Sequence, residues 1–133
     1  MTLFEECIEA LGKNASIVEK DIAKKILTEF DKNFSLTLWG RIDWDKVKDK
    51  RIAVSVEEII PILREKKRNH LALVYVIGSD PKIPIIKSKL DKLLEFFYDV
   101  EAVSPNSWFY CQSEGWVVEV YHDGTMTIGF VGQ

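Results

Sequence analysis

Histidine is the side chain that enzymes use most often for proton transfer, and this chain has two. His70 precedes an apolar run, and His122 stands next to an Asp-Gly pair. Neither has a serine or cysteine nucleophile beside it in a recognisable local motif. We therefore expect both to be ordinary histidines at the ends of strands, and we predict no catalytic residues.

Two short acidic segments resemble ligand sites. Asp43-Trp44-Asp45 places two carboxylates close together, which can serve a divalent cation, but no phosphate-binding loop or further acidic cluster accompanies them. Gly78-Ser79-Asp80 follows an apolar run, yet it lacks the glycine spacing and the Lys-Ser/Thr ending of a P-loop. We expect solvated loop acids in both places, with no metal and no cofactor.

The composition favours a binding domain of ordinary size. The chain has 133 residues, enough for one domain covering residues 1–133, and 18 Lys+Arg against 21 Asp+Glu give a net charge of −3. Proteins that bind nucleic acid directly depend on neutralising phosphates, which a mildly acidic chain does poorly. A basic protein partner suits this charge better.

The two cysteines and the N-terminus indicate the compartment. Cys7 and Cys111 have no Cys or His at metal-ligand spacing, and we expect free thiols in a reducing environment. The chain begins Met1-Thr-Leu-Phe-Glu-Glu, without a basic region followed by an apolar one, so we expect no export. No apolar run approaches the length of a membrane span. These features predict a cytoplasmic protein that does not associate with membranes.

The C-terminal quarter predicts an antiparallel meander of three strands. Asp123-Gly124 separates two β-prone runs, 116–122 and 125–131, and an aromatic run at 107–112 precedes them. A two-residue Asp-Gly loop is a strong hairpin signal because a type I′ turn needs positive φ at both positions. One face of these strands is apolar and requires cover.

Helices predicted in the preceding part of the chain can cover this apolar face. Apolar residues at helical spacing and capping signals predict helices over 3–11, 19–32, 56–66 (containing Pro61) and 86–98. Extended segments are predicted at 15–18, 34–43, 71–77 and 100–103, with 45–51 as a turn or short helical loop. The run at 71–77 is apolar on both faces, which indicates a central strand with Leu73 in the core. The fold class is α+β: a mostly antiparallel sheet with a C-terminal three-stranded meander, covered by three to four helices.

Aromatic and acidic residues supply candidate anchors for a protein partner. We expect an exposed Trp or Tyr surrounded by acids such as Glu114, Glu119 and Asp123, because such a surface is typical of a binding hot spot. Anchors must lie on loops or strand ends that a partner can reach. The candidate binding residues are Asp43, Trp44, Asp45, Asp80, Trp108 and Glu114.

Several segments, in their order along the chain, resemble bacterial contact-dependent growth inhibition immunity proteins. The most distinctive is Trp39-Gly-Arg-Ile-Asp-Trp44. The others are Phe4-Glu-Glu-Cys-Ile-Glu-Ala-Leu-Gly12, Pro84-Ile-Ile-Lys87 with Leu90, Asp99-Val-Glu-Ala-Val-Ser104 and Val118-Glu-Val-Tyr-His-Asp-Gly-Thr-Met-Thr-Ile-Gly-Phe130. Gly40, Asp43 and Trp44 belong to the distinctive segment, where they serve either the fold or binding.

The resemblance implies a cytoplasmic inhibitor that binds the cognate C-terminal toxin domain of a bacterial exoprotein. Toxins met by such proteins are often nucleases, including tRNases that work with elongation factor Tu, so that factor is a possible further partner through the toxin. The resemblance also implies a non-enzymatic protein. Two alternatives stay open on the residues alone: a small regulatory or scaffold module for another host protein, and an enzyme of unknown type.

Overall fold

A seven-stranded antiparallel sheet forms the centre of the protein, in a computed structural model that describes residues 1–132. Its spatial order is β1-β4-β3-β5-β6-β7-β2. The strands are β1 Ala15–Ile17, β2 Asp49–Ala53, β3 Leu73–Gly78, β4 Ile86–Lys89, β5 Ser107–Cys111, β6 Trp116–Val120 and β7 Met126–Phe130. The last three pair in sequence order, which confirms the predicted meander.

Helices precede and interrupt these strands, so the fold class is α+β as predicted. They are α1 Leu3–Leu11, α2 Lys20–Asn33, α3 Ile59–Glu65, α4 Leu90–Glu95 and α5 Phe97–Glu101. The predicted capping box of α1 is present, with Thr2 and Glu5 satisfying each other's backbone N–H. No helix within residues 1–132 is long and apolar enough to cross a membrane.

Both faces of the sheet are covered, whereas the sequence indicated one apolar face on the meander. Every position of β5, β6 and β7 is buried. Helices α1, α3, α4 and α5 pack on the first face through residues such as Leu11, Leu63 and Leu90. Helix α2 and residues 34–47 cover the second face through Phe30 and Phe34. The second layer explains why aromatic residues on both sides of the meander stay out of water.

The hairpin between β6 and β7 differs in its turn from the predicted type I′. Gly124 has φ +91°, but Asp123 does not have a positive φ. Tyr121 accepts a hydrogen bond from the Gly124 N–H at 2.9 Å and donates its own N–H to Thr125 at 2.9 Å. A turn followed by a left-handed glycine is the three-residue hairpin loop with a bulge, which needs positive φ at one position only.

The predicted helix over 86–98 is wrong in its first turn, and the predicted strand at 100–103 is wrong. Ile86–Lys89 is strand β4, which pairs with β1 and β3, and the helix begins only at Leu90. Residues 97–101 form helix α5. Hydrogen bonds to two neighbouring strands outweigh the local helical spacing of apolar residues.

The segment 34–43 is not a strand. It makes a single bridge, Leu36 to Ile42, and turns back on itself between them. The turn or short helical loop predicted at 45–51 is present as a 3₁₀ turn at Trp44–Lys46, but the prediction is wrong from Asp49, where strand β2 begins. This strand forms the edge of the sheet next to β7.

Pro61 lies in the first turn of α3, which follows a 3₁₀ turn at Val56–Glu58, so the proline shortens the α-helix at its start. Strand β3 is interior, as predicted, between β4 and β5. However, the prediction that Leu73 belongs to the core is wrong, since this residue is 48% exposed at the start of the strand. Val74, the next residue, is fully buried.

Candidate binding surface built on a buried carboxylate

Glu119 is a fully buried carboxylate in the middle of β6. This position corrects the prediction that it surrounds an exposed aromatic residue. Its Oε1 accepts from Nε of Arg41 at 3.0 Å and from Nε1 of Trp44 at 3.0 Å, and Nη2 of Arg41 lies 3.0 Å away. Its Oε2 accepts from the Ile42 N–H at 2.8 Å and from Nε1 of Trp108 at 3.1 Å. This full set of donors offsets the loss of hydration of a buried charge.

The donors to Glu119 attach a loop to the sheet. We call residues 34–47 the cover loop, because they lie on the second face of the sheet beside α2. Three of the donating residues, Arg41, Ile42 and Trp44, belong to this loop, and Trp108 belongs to the sheet beneath. The Arg41 guanidinium also stacks over the Tyr121 ring, 4.1 Å from its centroid. The Glu119 carboxylate therefore fixes the path of the cover loop.

The tip of the cover loop presents two large apolar side chains to solvent. Leu38 and Trp39 are 103% and 87% exposed. A local network orders the turn: the Thr37 N–H donates to Arg41 at 2.6 Å, and Thr37 Oγ1 accepts from the Trp39 N–H at 3.3 Å. Gly40 has φ +78°, which a glycine adopts without strain. The tip is an ordered turn that displays apolar side chains.

An open groove of about 350 Å³ lies beside this tip. Its walls come from α2, the cover loop, the loop after β3 and the first part of β5. The lining residues are Leu27, Phe30, Asp31, Leu36, Gly40, Ile77, Gly78, Ser79, Asp80, Pro81, Ile83, Ile85 and Trp108. The two ionisable side chains among them, Asp31 and Asp80, are both acidic. The groove is thus apolar at its base and negatively charged at its rim.

The structure brings several of the sequence-predicted binding residues together. Trp44 and Trp108 donate to opposite oxygens of Glu119, and Trp108 forms part of the groove wall with Asp80. Trp108 is only 3% exposed, so its ring forms part of the groove wall and does not project toward a partner. Trp44 is half-buried against the sheet.

The remaining predicted residues lie elsewhere on the surface. Asp43 is half-buried and pairs with Lys46 at 3.7 Å, and Asp45 is exposed next to it. Glu114 lies in the turn after β5, at the end of that strand opposite the groove, where its Oε1 accepts from the Asn69 N–H at 2.8 Å. Asp80 and Glu114 therefore cannot share one small contact area.

The structure places His122 at the surface and both cysteines in the interior. His122 is exposed and contacts Asn106, with 3.1 Å between Nδ1 and Oδ1. Burial raises the pKa of the Cys7 thiol to about 11 and raises that of Cys111, which keeps both in the less reactive protonated form. Within residues 1–132, no group of three or more His, Cys, Asp or Glu side chains could hold a metal ion.

The sequence does not identify four residues of this surface, Asp31, Leu38, Trp39 and Arg41, and it predicts an exposed position for Glu119, which is buried. One signal was available for Glu119, since it is the lone charged residue in an otherwise apolar strand, which indicates either an edge position or a buried charge with partners. For Leu38 and Trp39 no local signal distinguishes an exposed apolar pair from a buried one.

Comparison with known proteins shows which family the chain belongs to. No curated protein is similar enough in sequence to count as a match. The sequence model of one protein family, described as CdiI immunity protein EcoliA0-like, matches residues 1–129. Because that match spans nearly all of the chain, the protein belongs to the CdiI immunity protein family of the EcoliA0-like type.

Proposed function

We propose that this protein acts in the cytoplasm, where it binds the C-terminal toxin domain of a contact-dependent growth inhibition exoprotein and covers the toxin's active site. The observation that carries the proposal is the family match over residues 1–129, since CdiI immunity proteins neutralise a toxin. The exposed loop tip and the groove beside it are consistent with inhibition by binding.

The toxin that we propose is a nuclease, and specifically a tRNase. Enzymes that cleave nucleic acid bind phosphates with basic side chains, so an acidic inhibitor can occupy the same surface. The net charge of −3 supports this pairing. A tRNase that works with elongation factor Tu would bring that factor into the complex through the toxin, without direct contact between this chain and nucleic acid.

Docking is proposed at accessible acids and at the aromatic residues near them. Asp43 and Asp45 lie beside Trp44 on the cover loop, and Asp80 lies beside Trp108 at the groove. Glu114 is a separate candidate at the far end of β5. Acidic side chains at these places accelerate association with a basic partner.

The test is protection against the cognate toxin. The C-terminal domain of the exoprotein encoded directly upstream of this chain is expressed from an inducible promoter, with and without this chain. We expect growth to be rescued for this toxin domain and for few unrelated ones. Purified toxin domain should lose cleavage of total tRNA when this chain is added in equal amount, and calorimetry should show a complex.

Three results would each contradict a different part of the proposal. Rescue of growth without measurable binding of the purified pair would contradict inhibition by occlusion. A complex that forms while the toxin still cleaves a small model substrate would place binding outside the active site. A toxin domain that cleaves no nucleic acid would contradict the nuclease assignment alone.

A further inference from the structure

We propose that the cover-loop tip, Leu38 and Trp39, together with the groove between Asp31 and Asp80, is the surface that docks the toxin. The Trp39 ring enters an apolar pocket of the toxin domain, and a lysine or arginine side chain of the toxin enters the groove. This inference rests on the proposed function and goes beyond it by naming the anchor residue and the chemistry of the matching element.

The first support is the exposure of apolar side chains in one region. Leu38 and Trp39 are almost entirely exposed, and Leu27 and Leu36, which line the groove beside them, are 44% and 40% exposed. Scattered exposed leucines are ordinary on protein surfaces, but a group of them around an exposed tryptophan marks an interaction site. Tryptophan is also the residue most enriched among those that dominate binding energies.

The second support is that the tip is held in place before any partner arrives. The bridge from Leu36 to Ile42 and the Thr37 hydrogen bonds close the turn, and Glu119 holds its base through Arg41 and Ile42. An exposed side chain on an ordered support loses less conformational entropy on binding than one on a flexible segment. The fold therefore holds Leu38 and Trp39 in exposed positions, although their exposure does not stabilise the free protein.

The third support is charge, which also identifies the occupant. Asp31 and Asp80 line the groove, no lysine or arginine lines it, and neither acid belongs to an ion pair within residues 1–132. Two unneutralised carboxylates beside apolar walls suit a basic side chain whose alkyl part packs on those walls. A two-fold dimer through this surface would place both acidic grooves in one interface, with no basic groove residue to pair with them.

The experiment measures binding of the toxin domain encoded directly upstream to variants of the full chain by calorimetry. Trp39→Ala and Leu38→Ala should each raise the dissociation constant at least tenfold. The matched control is Tyr98→Ala, because Tyr98 is also highly exposed, at 83%, but lies on α5 at the other face of the sheet. It should bind within about twofold of the parent, since an exposed side chain outside the interface contributes little.

The groove is tested with paired substitutions that remove charge and keep shape. Asp31→Asn combined with Asp80→Asn should weaken binding at least tenfold and reduce its dependence on salt. Glu57→Gln, at an exposed site near α3, is the charge control. It should change neither the dissociation constant nor the dependence of binding on salt. Melting temperatures of all variants should stay near that of the parent, because none of the substituted side chains is buried.

The outcomes separate this inference from the proposed function. If the parent chain does not bind the toxin domain, the proposed function fails. If the parent binds and Trp39→Ala, Leu38→Ala and the double asparagine variant bind equally well, the docking surface assigned here is wrong while the function stands. If the free chain is a dimer that Trp39→Ala converts to a monomer, the surface belongs to a second copy and the toxin assignment is overturned.

Discussion

The indole ring of Trp44 occupies the space in which a side chain at position 129 would lie. A Cβ added to Gly129 would stand 2.6 Å from Cζ3 of Trp44 and 3.3 Å from Cε1 of Phe34, and the first distance is closer than atoms can approach. Because Gly129 has no side chain, the cover loop can pack closely on β7 and Trp44 can reach Glu119.

Gly129→Ala should therefore destabilise the protein by about 1–3 kcal/mol, since the added methyl group must displace the Trp44 ring from its hydrogen bond. Chemical denaturation measures the change. Gly132→Ala is the matched control, because a Cβ there meets no atom within 4 Å. Equal stability of the two variants would show that the cover loop does not depend on this contact.

Glu119→Gln should lower the free energy of unfolding by roughly 3 kcal/mol, the lower part of the range for breaking a buried ion pair, because Arg41 retains partial access to solvent. Both carboxylate oxygens accept hydrogen bonds from N–H donors, so either orientation of an amide sets its NH₂ against a donor. Glu57→Gln at an exposed site should change stability by less than about 0.5 kcal/mol. A Glu119→Gln melt like that of the parent would mean that the carboxylate is not needed to hold the loop.

Val74→Ala should cost about 2 kcal/mol, whereas Leu73→Ala should cost less than about 1 kcal/mol, although leucine is the larger side chain. The reason is burial: Val74 is fully buried in β3, and Leu73 is 48% exposed. Urea unfolding of the two variants shows which substitution lowers the free energy of unfolding more. A larger loss for Leu73→Ala would contradict the placement of these neighbours on opposite faces.

Stability should fall as the pH rises above about 9. Burial raises the pKa of Tyr110 from 10.0 to about 12 and that of Cys7 from 9.0 to about 11, and both groups are neutral when protonated. The unfolded chain releases these protons first, so the stabilisation is complete below about pH 9 and is lost as the pH rises through the folded-state values.

Urea midpoints at pH 7.5 and pH 10 test this direction. Cys7→Ala should reduce the part of the loss that lies between about pH 9 and 11, because the shifted Cys7 thiol is then absent. The neutral-pH midpoint of this variant serves as its own reference. A protein that is equally stable or more stable at pH 10 would contradict the assignment.

Reversal of charge at the candidate acids tests where a basic toxin docks. Asp80→Lys should raise the dissociation constant at least tenfold, about 1.4 kcal/mol, because Asp80 lines the groove. Asp43→Lys, Asp45→Lys and Glu114→Lys test the other predicted positions by the same calorimetric measurement, with melting temperature as the check on folding. If all four variants bind like the parent, these assignments are wrong.

The sequence by itself determined the elements whose signals are local. The capping box of Thr2 and Glu5 needs only residues within one turn, and the alternating apolar runs around Asp123-Gly124 need only a nearby partner strand. The order of short motifs also identified the family, which the match over residues 1–129 confirms.

Tertiary structure alone decided the features that depend on distant partners. Ile86–Lys89 became a strand because β1 and β3 supply hydrogen bonds on both sides, and 34–43 became a loop because Glu119, more than seventy residues away, binds it. Trp39 and Trp108 are the same residue type, yet one is 87% exposed and the other 3%. Whether an apolar side chain is covered depends on what packs over it, and that is a property of the whole fold that no local pattern contains.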